Sequence, residues 1–68
     1  MKDAILESLR YDVDAMQYQY NVRRQKRVEL AALPFSADSF KAYSIACALE
    51  DSAQRLLEIA RGRLIKAA

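Results

Sequence analysis

The side chains of this chain that could do chemistry are few, and most of them are cationic. Arg23-Arg24-Gln25-Lys26-Arg27 places four positive charges in five positions. On a helix such a run points in nearly every direction, because each residue turns the chain by about 100°. At most two or three of the four can address one phosphate backbone. Three destinations suit these charges: acids of the same chain, an acidic surface on another protein, or nucleic acid. For the first, Arg23, Arg24 and Arg27 would lay their stems along a neighbouring helix and reach Asp38, Glu50 or Asp51. For the last, Arg23, Arg24, Lys26 and Arg27 are the contact residues and Tyr20 offers a stacking face.

The remaining chemistry is defined by what the composition excludes. There is no histidine and one cysteine, Cys47, which rules out a His-dependent triad, a His/Cys zinc site and an intrachain disulfide. Asp12 and Asp14, like Glu50 and Asp51, diverge on a helix, so neither pair makes an acid/base dyad or a cation site. Gly62 is the only glycine, which excludes a phosphate-cradling loop. The expectation is a protein that is not an enzyme, with no catalytic residues, no metal ligands and no cofactor. It has to act by binding.

The elements that position these side chains follow from length and composition. Sixty-eight residues, 53% hydrophobic and 29% charged with a net charge of +2, suit one small folded domain. With one glycine, one proline and a preponderance of helix formers, the predicted class is all-α. Pro34 divides the chain and holds Leu33 out of helical backbone. Helix is expected over about 4–32, capped by Asp3, then a turn at 33–36, then helix over about 37–65. Ser36 is the predicted cap of the second helix, with Asp38 in its first turn and Phe35 and Phe40 at the two positions of a hydrophobic staple. Gly62 is a candidate terminator.

So short a turn makes the helices antiparallel neighbours, a helical hairpin. Leu6, Leu9, Val13, Met16 and Tyr20 form the expected inner stripe of the first helix. Ala42, Ala46, Leu49, Ala53, Leu56 and Ala60 form that of the second, flanked by Ile45, Leu57 and Leu64. Folding about Pro34 would set Tyr20 near Leu49, Met16 near Ala53, Val13 near Leu56 and Leu9 near Ala60. Charge favours this arrangement: residues 1–20 carry net −2, and Arg61, Arg63 and Lys66 bring +3 beside them.

Two helices touching along one stripe bury little, and no disulfide or metal reinforces them. The first helix has a second stripe, Tyr11, Ala15, Tyr18 and Val22, opposite the inner one, and the second helix groups Phe40, Tyr43 and Cys47. A helix with two apolar faces wants two neighbours. These seven residues are the expected protein interface, for a homodimer forming a four-helix bundle and for a larger protein partner bearing an acidic patch. Function is expected to be that of a dimeric interaction module that inhibits or adapts a larger cytoplasmic protein. Small helical phage proteins that disable host factors offer an analogy of size alone. The alternative is a nucleic-acid-binding regulatory hairpin using the basic run 23–27. The acids among the opening residues speak against a signal peptide and a membrane-surface helix, and the unpaired thiol fits a reducing cytoplasm.

Overall fold

The computed structural model describes residues 2–68 and contains two helices, α1 (Lys2–Ala31) and α2 (Ala37–Ala67), packed along each other. Asp3 falls within the first turn of α1, where its charge complements the exposed amides, instead of preceding the helix as its cap. The far end of α1 tightens before Pro34. Ala32 N–H donates to the Glu29 carbonyl and Leu33 N–H to the Leu30 carbonyl, each at 3.2 Å, the three-residue bonds that close a helix terminus.

α2 starts as predicted. Ser36 is extended (φ −153°, ψ 166°), and its Oγ accepts from Ser39 N–H at 3.0 Å. Ser39 Oγ accepts in return from Ser36 N–H at 2.8 Å, a capping box closed by serine. The Phe35 and Phe40 ring centroids lie 6.0 Å apart, so the staple is formed. At the other end Gly62 does not terminate the helix. It has no positive φ, and α2 runs on to Ala67 with Lys66 in its last turn.

The core is thin. Among the described residues only Ala46, Ala53, Leu57 and Ala60 are buried, all on α2. α1 covers them with half-buried Leu6, Leu9, Val13, Met16, Tyr20 and Leu30, which confirms its predicted inner stripe. The inner stripe of α2 requires a correction. Leu49 and Leu56 are exposed, as is Ile45, and the expected partnerships of Tyr20 with Leu49 and Val13 with Leu56 lose their α2 member. Tyr43, Glu50, Leu57 and Leu64 stand there instead, beside alanines recurring every seventh residue at 46, 53, 60 and 67. Alanine lets the helix axes approach, and a seven-residue repeat keeps the seam aligned over the whole hairpin.

The resulting body is a rod of 53 × 13 × 11 Å between Cα extremes. Its radius of gyration is 15.7 Å, against about 11 Å for a compact chain of this length. Among the described residues no helix is long and apolar enough to cross a membrane.

Candidate protein-binding faces

Arg27 and Glu50 each interrupt an otherwise apolar seam, one from each helix, and they pair across it. Arg27 Nε donates to a Glu50 carboxylate oxygen, the only ion pair within 4.0 Å among the described residues. Both side chains are largely covered, 29% and 13% exposed. The hydrogen bond and then the charge of Glu50 push the Arg27 guanidinium above its ordinary pKa, and Tyr43 adds a smaller effect of the same sign. A fold symmetric about Pro34 sets Arg27 opposite Ala42. Helix side chains lean towards their own N termini, and in an antiparallel pair that lean brings Arg27 and Glu50 towards each other.

The basic run is thereby divided. Arg27 belongs to the seam, whereas Arg23, Arg24 and Lys26 are exposed. Of the acids proposed to receive these charges, Glu50 does so; Asp38 and Asp51 form no ion pair among the described residues. Helical spacing spreads the three free cations over nearly half the circumference of α1, so they do not form one basic face.

A second polar contact ties the helices nearer the open end, where Arg61 Nη2 donates to Gln17 Oε1 at 2.7 Å. Gln17 also donates to Asn21 Oδ1 at 3.0 Å. This contact shows which sides of the two helices share a flank. Gln17 and Arg61 stand on one flank of the hairpin, together with Cys47, which lies two helical repeats of seven before Arg61.

The seven residues predicted as interface fall into two groups. Tyr11 and Tyr18 project from the outer side of α1, 74% and 66% exposed, with Val22 exposed beside them and the smaller Ala15 partly covered. Asn21, Val22, Gln25, Lys26 and Glu29 continue this surface from Tyr18 as a shallow depression of about 500 Å³. On α2, Phe40 is exposed, but Tyr43 and Cys47 are half-buried towards the seam. The spacing of Phe40, Tyr43 and Cys47 therefore does not make one free face. Phe40 and Tyr43 instead share a concavity of about 430 Å³ at the turn with Leu30, Leu33 and Phe35.

The largest apolar feature not assigned from the sequence is the exposed stripe Ile45, Leu49, Leu56 and Ile59. Its signal was present, since steps of four, seven and three mark one helix face. Periodicity assigned Leu49 and Leu56 to the seam, which concealed it. Among the described residues no three His, Cys, Asp or Glu side chains gather as a metal site. The chain matches no protein-family model, no curated protein and no solved structure.

Proposed function

We propose that this chain is a non-enzymatic protein-binding module: a hairpin that dimerises into a four-helix bundle and, in that form, inhibits or adapts a larger protein. The observation that carries this reading is surplus surface. The hairpin exposes 5436 Å², whereas a compact monomer of 7.8 kDa exposes about 4,400 Å². The excess of about 1,000 Å² resembles one partner's share of a standard protein interface, about 800 Å². Among the described residues thirteen large apolar side chains are exposed, while Leu57 is the one large apolar side chain that is buried. Single exposed apolar residues are ordinary, but stripes of them mark interaction surfaces.

In this reading Tyr11, Tyr18 and Val22 make the contact with the larger protein, since tyrosine joins a large apolar body to a hydroxyl that stays wet. Arg23 and Arg24 lie beside them in sequence and steer the module towards an acidic patch. Engagement of Arg27 by Glu50 leaves the nucleic-acid alternative with three diverging cations, which favours a protein partner. The intact chain serves as bait, and the retained protein is then titrated with purified material. Tyr18→Ala is expected to weaken that affinity by over about 1 kcal/mol, with helicity unchanged. Retention of nucleic acid alone, or an affinity indifferent to Tyr18→Ala, overturns the reading.

A further inference from the structure

The two flanks of the hairpin differ in kind. One holds the Gln17–Arg61 bond and the half-buried Cys47. Helical spacing in an antiparallel pair assigns to the other flank the column Asp38, Ile45, Ser52, Ile59 and Lys66 of α2, with Leu49 and Leu56 next to it. The centre of this stripe is turned about 100° from the centre of the seam, the angle a helix needs to meet two neighbours in a four-helix bundle. From α1 the same flank receives Ile5, Asp12, Gln19 and Lys26, again at intervals of seven and all exposed.

In each column an acid on one side of a central polar residue is answered by a base at the same distance on the other. About Ser52, Ile45 mirrors Ile59 and the acid Asp38 mirrors the base Lys66, while Leu49 and Leu56 flank it three residues before and four after. About Gln19, the acid Asp12 mirrors the base Lys26. Such a pattern complements a copy of itself turned end for end, because Ile45 then meets Ile59, Leu49 comes within one residue of Leu56, and Asp38 and Asp12 meet Lys66 and Lys26. One axis serves both helices, since the fold about Pro34 that sets Arg27 opposite Ala42 sets Gln19 opposite Glu50, two residues or about 3 Å along the helix from Ser52. A rod 53 Å long and 13 Å across offers on the order of 700 Å² per copy along this side, close to what a stable dimer takes from each partner.

We infer that this flank is the surface on which a second copy of the chain docks, antiparallel and related by a two-fold axis that crosses the helices at Ser52 and Gln19. Ile45, Leu49, Leu56 and Ile59 form the apolar centre of the contact, Asp12 of each copy meets Lys26 of the other, and Ser52 is the small residue at the crossing point. The inference rests on the dimeric reading of function and gives it a geometry. It removes Tyr11 and Tyr18 from the self-contact and leaves them to a foreign partner.

Sedimentation equilibrium and circular dichroism of the whole chain test it. The parent sediments as a dimer at micromolar concentration, and Leu56→Lys sediments as a monomer with its helicity intact. Asp12→Lys weakens the dimer at low salt by about threefold or more, and the double exchange Asp12→Lys with Lys26→Asp restores it. Mild oxidation of Cys47→Ser/Ser52→Cys links two copies through the new thiols, whereas Cys47→Ser/Gln25→Cys, with its thiol on the outer side of α1, links far more slowly. A parent that is monomeric throughout the micromolar range overturns the inference. So does a dimer that survives Leu56→Lys, or one that dissolves with Tyr18→Ala while the Ser52 cysteine stays unlinked. A monomer that still binds its target through Tyr18 overturns this geometry and leaves the protein-binding function standing.

Discussion

At the scale of single residues, the most consequential choice is a charge pair placed where apolar side chains would serve. Removing one member of a covered pair leaves the other facing apolar surface without a partner, whereas replacing both with apolar groups of similar size is often neutral or stabilising. Arg27→Met alone and Glu50→Leu alone are each expected to lower the melting temperature more than the double replacement does. A double variant less stable than both singles would refute this account. The sign of the Arg27 shift makes the effect insensitive to alkali: a raised pKa keeps the contribution complete below the ordinary arginine range and removes it only above. The same contrast is therefore expected at pH 7 and at about pH 9. Ser36 is a simpler case. Its hydroxyl satisfies the Ser39 amide at 3.0 Å, and Ser36→Ala should cost about 1 kcal/mol in urea denaturation, with no change in slope.

At the scale of elements, the hairpin, its turn and the α1 stripe were legible in the sequence because each has a local cause: Pro34, the Ser36 cap, and apolar residues at steps of three and four in α1. The face of α2 was not. Its alanine column has apolar residues on both sides, Leu49 and Leu56 on one and Leu57 and Leu64 on the other, so periodicity alone fits either assignment. What decides is a contact remote in sequence, the need of Arg27 for Glu50, which turns α2 until the carboxylate enters the seam. Both interruptions were visible at seam spacing, Arg27 seven residues after Tyr20 and Glu50 four after Ala46. Gly62 carries a separate prediction. A methyl group there would meet nothing within 4 Å, and the backbone is helical on both sides. Gly62→Ala is thus expected to stabilise α2 by roughly 0.5–1 kcal/mol through lower entropy of the unfolded chain, measured as a raised urea midpoint.

At the scale of the whole molecule, stability and the proposed assembly are hard to separate, because a rod with one large buried side chain among its described residues has little core of its own. Leu57 and Leu56 are neighbours in sequence with opposite surroundings, 4% and 53% exposed, and they offer a way to divide the two contributions. Truncating Leu57 removes contacts inside each hairpin, whether or not a second copy is present. Leu57→Ala is expected to cost about 2–3 kcal/mol at every protein concentration, towards the low end for buried leucines because so thin a core can partly collapse around the gap. In the proposed dimer, truncating Leu56 removes contacts that only the second copy supplies. A ligand that binds the folded form alone raises stability with its concentration, and here the ligand is the chain itself. The melting temperature of the parent should therefore climb as protein is added, and the loss caused by Leu56→Ala should grow along the same series and shrink towards zero on dilution. A parent whose melting temperature is independent of concentration, with Leu56→Ala as silent at high concentration as at low, would mean that the exposed stripe of α2 does not take part in assembly.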